Sequence, residues 1–281
     1  MRLRGRRVVH VKSLDAWIPL ATVADAHLGA RSCDKEAFFE HIEWIRRHKS
    51  AIWVSIGDLA NLIIPGDKRW NSQEVDKEFY DMLQDGGFGG KVIDYLVNIL
   101  DPIKDRGVFM LAGNHEKKYD AMRDHAVTQS VVKELRRGVP KPQKVQYGGS
   151  DVCGKTLVFT DPHGKKAEYN IIACHGGSGA TTKAGKLRVL LTFAQNLGGG
   201  DLYLMGHMHD ILSPSVPQVS IGNGSTQLID TTARAVLCGS FLRTYGNGFS
   251  TYSGRKGYGP VSLGNPIIWI QPSTKKTRVE D

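Results

Sequence analysis

Four cysteines are few for a chain of 281 residues, and Cys33, Cys153, Cys174 and Cys238 form no C-x-x-C pair and no zinc-ribbon spacing. A chain this long can bury a core without staples, so reduced thiols in a cytosol are the simpler expectation. Long apolar runs are also missing. Nothing approaches the ~20 residues needed to cross a bilayer. The basic start, Met1 to Arg7, is followed by an apolar stretch broken at His10, Lys12 and Asp15, which argues against a secretory leader. No internal repeat is present, and acid is in deficit, with 28 acidic against 37 basic residues and a net charge of +9. These absences exclude a disulfide scaffold, a helical membrane protein, a solenoid and an acidic tail, and leave a cytoplasmic globular protein. The positive charge favours polyanionic partners without requiring one, because many basic proteins bind no nucleic acid.

Apolar runs and amphipathic stretches alternate along the first half. Strands are expected over Ile18–Ala24, Ala51–Ile56 and Val108–Ala112, with helices over Asp34–Lys49 and Lys91–Ile103 between them. Phe38, Ile42 and Ile45 give the first helix an apolar face, and Ile93, Leu96, Val97 and Leu100 give the second one. The second half is richer in strands, at Thr156–Thr160, Tyr169–Cys174 and Leu202–Met205, with a helix over Lys186–Asn196 and short β segments ending at Pro266–Ile270. The pattern is an α/β core, read from the residues as one two-layered domain over 1–281.

Chelating residues fall just beyond these strands: Asp25 and His27, Asp58, Asn114 and His115, His175, then His207 and His209. Open α/β sheets bind ligands at the carboxyl ends of their strands, and the flanking glycines let the chain turn sharply there. Each motif alone has an ordinary explanation as a turn, a cap or a core histidine. All five in order, each at a strand end, point instead to a shared metal site. Imidazole, carboxylate and amide oxygen together suit manganese, iron or zinc, with nickel or cobalt also compatible, better than a thiolate site would.

The series Asp25-x-His27, Gly57-Asp58, Gly113-Asn114-His115-Glu116, His175 and Gly206-His207-x-His209 resembles the calcineurin-like metallophosphoesterase superfamily. The resemblance implies a four-layer α/β/β/α sandwich with two divalent metal ions at the strand ends. It would give one metal Asp25, His27, Asp58 and His209, and the other Asp58, Asn114, His175 and His207. Asp58 would bridge them, with His115 standing over the site as a general acid rather than a ligand. The nucleophile would be a metal-bridging hydroxide. Two divalent ions less Asp25, Asp58 and hydroxide leave about +1 to attract an anionic ester, which gives a reason for the neutral Asn114. Asn61 stands where the related serine/threonine phosphatases carry an aspartate that orients the catalytic histidine, and the arginine that follows there is absent. An amide can orient an imidazole but cannot raise its pKa as a carboxylate would, which argues against that branch. The tail and the Asp201–Asp210 segment are also similar to metallophosphoesterases carried by bacteriophages, for which the compartment would be the host cytoplasm.

Two other patterns fail. Gly179 to Lys186 has five residues between its glycines and Leu187 where a P-loop needs Ser or Thr, and His115-Glu116-Lys117-Lys118-Tyr119 lacks the second histidine of a zinc protease. Basic residues near the expected rim are Arg31, Lys117, Lys118, Lys183, Lys186 and Arg188, with Glu116 and Asn61 as further supporting residues. They would guide a phosphate chain or simply form a solvated face. The tail from Arg243 to Asn265 interleaves Tyr245, Phe249, Tyr252 and Tyr258 with Arg255 and Lys256, a pattern that stacks single strands or packs a β edge. Three readings follow: a phosphodiesterase on nucleic acid or nucleotide diesters, a phosphomonoesterase on a small metabolite or phosphoprotein, and a metal-stabilised binding scaffold without catalysis. The oligomeric state is not legible.

Overall fold

Thirteen strands form two stacked sheets in the computed structural model, which describes residues 5–221, 228–246 and 248–280, without the side chains of Ser220, Ile221 and Tyr252. In chain order the strands are β1 (Gly5–His10), β2 (Ile18–Ala24), β3 (Ile52–Gly57), β4 (Gly107–Leu111), β5 (Gln146–Gly149), β6 (Val152–Thr160) and β7 (Lys166–Cys174). They continue with β8 (Leu202–Met205), β9 (Ile211–Leu212), β10 (Ser215–Ile221), β11 (Leu228–Cys238), β12 (Ile267–Gln271) and β13 (Lys276–Glu280). The helices are α1 (Lys35–Arg47), α2 (Lys77–Gln84), α3 (Phe88–Leu100), α4 (Asn114–Arg123), α5 (Val127–Leu135), α6 (Lys183–Asn196) and the single turn α7 (Tyr252–Arg255).

One sheet has the order β13-β12-β2-β3-β4-β5 and the other β1-β6-β7-β8-β11-β10, with β9 also on β11. Every residue of β2, β3 and β4 is buried, as expected for parallel strands covered on both faces. Their alternate side chains point opposite ways. Leu20, Val54, Ile56 and Phe109 meet Leu157, Phe159, Ile171, Leu204 and Val236 in the core between the sheets. Ala21, Val23, Trp53 and Met110 pack instead beneath α1 to α5. Tyr203, Met205, Ala235 and Leu237, on the far face of the second sheet, are covered by Leu190 and Ala194 of α6. The layers therefore run α/β/β/α, so the two-layered reading from periodicity is superseded by the four-layer arrangement.

The α1 helix begins where Asp34 accepts a hydrogen bond from the Ala37 amide, and it buries Phe38, Ile42 and Ile45 as its periodicity required. Each such side chain contributes about 1.5–3 kcal/mol of burial. In α3 the buried stripe is Phe88, Val92, Leu96 and Leu100, with Ile93 and Val97 only half-buried. The helix starts three residues before the expected boundary, and a 3₁₀ turn takes over at Asp101, ahead of Pro102. Strand β1 was not expected, because its arginines mask the alternation. It nevertheless pairs in parallel with β6, and Arg7 is buried with its guanidinium donating to the Asp105 and Pro142 carbonyls. The four cysteines are unpaired, and among the described residues no helix is long and apolar enough to cross a membrane.

Candidate metal centre

Strands β2, β3 and β4 run parallel in one sheet, and β7 and β8 run parallel in the other. Their carboxyl ends thus open on a single rim. Asp25 and His27 follow β2, Asp58 follows β3, Asn114 opens α4 after β4, His175 follows β7, and His207 and His209 follow β8. Backbone bonds continue the β2–β3 pairing past the strand ends: Asp25 N–H donates to Gly57 O at 3.0 Å and His27 N–H to Asp58 O at 3.0 Å. The chain then turns abruptly. Among the described residues seven non-glycine residues have positive φ, and five of them are Asp25, His27, Asp58, His207 and His209. Backbone in that region costs roughly 1–3 kcal/mol per residue, so strain is concentrated where the chelating side chains converge.

Glycine makes the convergence possible. A Cβ on Gly57, at φ 99°, would meet Gly113 N at 2.5 Å. A Cβ on Gly113 would meet Asp58 Cγ at 2.7 Å, with the Asp58 amide N and Oδ1 closer still. Glu116 braces the same junction. Its carboxylate accepts from the amides of Asp58 (3.0 Å), Leu59 (2.9 Å) and Gly113 (2.9 Å), capping α4 and fixing the Asp58 loop together. Burial, with the Asp58 charge, pushes Glu116 up to about 8 against the pull of backbone N–H groups. Glu116 thus braces the site through the backbone.

The chelating side chains fall into two sets. In the first, His209 Nε2 lies 3.3 Å from Asp25 Oδ1, His27 Nε2 lies 3.8 Å from the same oxygen, and the two imidazole nitrogens are 3.1 Å apart. In the second, His175 Nε2 lies 3.1 Å from Asp58 Oδ2 and 3.0 Å from Asn114 Oδ1, which also meets His207 Nδ1 at 2.7 Å. Asp25, Asp58 and His175 are no more than 1% exposed. A third grouping, His27, Asp58 and His115, also brings its ligand atoms within 4.8 Å of one another. Geometry thus places His115 within ligating reach, alongside its expected role as an acid.

The electrostatics fit a cation. Burial opposes a proton on His175, but the neighbouring Asp58 and, more weakly, Asp25 outweigh it and raise the imidazole to about 10. The two buried carboxylates thus call for positive charge beside them. Divalent ions would supply that charge, and imidazole ligands must be neutral to bind them. His27 is held well below its ordinary value by burial and by the neighbouring His115 and His209, and His207 is lowered by burial and His175.

His115 sits at the mouth of this cluster, its amide donating to Asp58 Oδ1 at 2.8 Å. Asn61, at the position of the orienting aspartate, is buried in the cavity wall, and its backbone N–H donates to the Leu28 carbonyl. The ring meets Arg69 instead, whose Nη1 is 3.3 Å from Nε2, while the buried Nδ1 has no hydrogen-bond partner, from Asn61 or any other described residue. Burial, relieved in part by Asp58 but reinforced by Arg69, lowers His115 to about 4. Arg69 was missed because it lies in an irregular segment between Asp58 and α2, where no periodicity or motif marks it.

A cavity of about 490 Å³ opens over the cluster. Its walls include Asn61, Ile63 and Arg69, then Ser178 to Thr181, Lys183 and Lys186, and parts of the tail from Leu242 to Val261. The tail and the residues just before it are tied to the first motif. Ser240 Oγ and Phe241 N–H both donate to Asp25 O, and Asn265 Oδ1 accepts from Ala24 N. The basic residues expected near the rim divide. Lys183 is exposed and lines the cavity. Lys186 is buried against Asp210 at 3.2 Å, Lys118 reaches Asp67 at 2.8 Å, and Lys117 pairs with Asp151. Arg31 lies over the Phe249 ring at 4.4 Å, and Arg188 is exposed away from the cavity. Of these six side chains, Lys183 and Lys186 line the cavity. In the tail, Tyr245 donates to the Tyr258 carbonyl and Arg255 pairs with Glu74, so the aromatic and cationic groups largely serve their own chain; the Tyr252 side chain lies outside the described residues.

Compared with known proteins, the sequence matches no family model and no curated protein. Among solved structures the chain is similar to the calcineurin-like phosphoesterase YfkN from Bacillus subtilis, at a TM-score of 0.37 and 10% sequence identity, covering 77% of this chain and 90% of that one.

Proposed function

We propose that the chain is a metal-dependent hydrolase of phosphoesters, acting on compact phosphodiesters such as nucleotide diesters. The observation that carries this reading is the convergence of Asp25, His27, Asp58, Asn114, His175, His207 and His209 from both sheets onto one end of a cavity that also presents His115 and Arg69. Asp25, His27 and His209 with Asp58 would hold one divalent ion, and Asp58 with Asn114, His175 and His207 the other. The nitrogen-and-oxygen donor set favours manganese over metals that prefer thiolate. When bound, such a pair supplies Lewis acidity and makes water a nucleophile near neutral pH.

The chain's own groups do the rest. Asp58 would be a ligand of both ions and so tie the two sets together. His115 faces the cavity, where it can hand a proton to a departing oxygen; a neighbouring anionic ester raises an imidazole that burial and Arg69 otherwise hold low. Ile63, Leu242, Pro260 and Val261 give the cavity apolar wall beyond the chelating residues, room for the second organic group that a diester has and a monoester lacks. A compact diester is favoured over a long strand because Lys117, Lys118 and Lys186 are engaged by carboxylates of this chain.

The test is protein stripped of metal and reloaded with manganese, assayed on bis(p-nitrophenyl) phosphate and p-nitrophenyl phosphate. The diester should be hydrolysed faster, and a chelator should abolish turnover. Metal-replete protein that cleaves neither ester overturns the hydrolase reading, and cleavage of the monoester alone overturns the diester preference.

A further inference from the structure

We propose that Arg69 is the cation that receives the phosphoryl group beside His115, held in place by Asp67 and Lys118. This rests on the phosphoester reading of the same site.

The guanidinium is anchored rather than loose. Its Nε donates to Asp67 Oδ1 at 3.2 Å and its Nη2 to Asp67 Oδ2 at 2.9 Å, a two-point grip that fixes the plane of the fork. Asp67 is itself fixed. Its side chain is 2% exposed, its Oδ1 also accepts from the Arg69 amide at 2.9 Å, and its backbone closes a turn with Ile64 and Trp70. Leu62 and Ile64, buried just upstream, nail this segment to the core. The long connection between β3 and α2 therefore presents Arg69 from a packed turn.

Charge and donor counts then show what the group is free to do. Asp67 and Arg69 alone would cancel. Lys118, projecting from the same helix that carries Asn114 and His115, meets Asp67 Oδ1 at 2.8 Å, so the three charges sum to about +1 at the cavity wall. A guanidinium has five N–H donors. Asp67 takes one from Nε and one from Nη2, and His115 Nε2 takes one from Nη1 at 3.3 Å. One N–H on each of the two terminal nitrogens remains, which is the paired arrangement that matches two oxygens of a phosphoryl group. Of the other wall cations, Lys186 is buried against Asp210, Arg243 is held by Asp34, and Lys183 is an exposed ammonium, a point charge without the planar fork. Arg69 lines the cavity and touches His115, so an anion seated there also lies beside the chelating cluster.

The experiment uses the full chain loaded with two metals and compares Arg69→Ala, Arg69→Lys and Asp67→Asn with the wild type. Metal content is measured first and should be unchanged, since none of these side chains is among the chelating set. Tungstate binding by calorimetry should weaken at least about tenfold in Arg69→Ala, and kcat/KM on bis(p-nitrophenyl) phosphate should fall by roughly 100-fold, the usual loss when one preorganised donor is removed. Added guanidinium should restore part of that loss, which a merely structural role would not allow. Arg69→Lys keeps the charge without the fork and should recover only part of the activity. Asp67→Asn should leave Arg69 present but free to turn, with a loss of about tenfold. Wild-type tungstate affinity in metal-replete Arg69→Ala, or a loss that guanidinium does not touch, overturns the inference. If Arg69→Ala sheds metal or fails to fold, Arg69→Lys decides, and full tungstate affinity and turnover there overturn it as well. A wild type that binds tungstate through Arg69 but cleaves no ester sinks the hydrolase reading alone.

Discussion

Gly113→Ala tests the geometry of the centre without replacing a chelating group. Gly113 has an extended backbone with φ −83°, so alanine meets no backbone strain there, and the entire effect is steric. The new methyl would lie 2.7 Å from Asp58 Cγ and closer to the Asp58 amide N, which is backbone and cannot swing away. Restoring an ordinary contact of 3.4 Å moves Asp58 Cγ by roughly 0.7 Å and its amide N by more, several times the ~0.2 Å tolerance of a metal–ligand bond. The same shift disturbs the Glu116 brace, which holds the amides of Asp58 and Gly113 together. Overpacking of this kind costs about 1–3 kcal/mol. At about 2–4 °C per kcal/mol for a chain of this class, Tm should fall by about 2–12 °C. Metal analysis should find less than the full complement, because Asp58 would be a ligand of both ions. Gly90→Ala is the control: it lies exposed in α3 with nothing within 4 Å of the added methyl, and should be neutral or stabilising by up to about 1 kcal/mol. A Gly113→Ala protein with wild-type Tm and two bound metals would refute the reasoning.

Asp58→Asn should lower metal content more than Asp25→Asn does, since Asp58 is proposed as a ligand of both ions; two metals per chain in the Asp58 variant would exclude the bridging role. His115→Ala should keep its metals and lose about 10²–10⁴-fold in turnover on alkyl esters, with a smaller loss on nitrophenyl esters whose leaving group needs no proton. Equal losses on both would exclude proton donation, and loss of metal would make His115 a ligand. Distant from the centre, His41 is driven down to about 4 by burial, against the Thr22 carbonyl to which its ring N–H donates at 2.8 Å. A group depressed in the folded state stabilises above its unfolded value of about 6.5 and loses that contribution as pH falls toward 4. His41→Gln keeps a donor and removes the titration, so the Tm advantage of the wild type should shrink between pH 6.5 and 4; a constant difference would show that His41 does not titrate in that window.

Much of the centre was legible before the fold. Asp25, His27, Asp58, Asn114, His175, His207 and His209 could be picked out because each follows a strongly apolar strand, and parallel strands buried on both faces write themselves as continuous hydrophobic runs. The α1 face was legible for a similar reason, since Phe38, Ile42 and Ile45 recur at helical spacing. These are local signals, carried by neighbours along the chain. What only the tertiary structure decided depends on contacts between residues distant in sequence. Arg69 reaches His115 across 46 positions, Lys118 reaches Asp67 across 51, and Ser240 holds the Asp25 carbonyl across 215. No period or spacing encodes such pairings, and a lysine that reads as a free cation, such as Lys186, turns out buried against Asp210. The stacking of the two sheets had the same origin: each strand specified its own burial, but which faces met was settled when the interior packed.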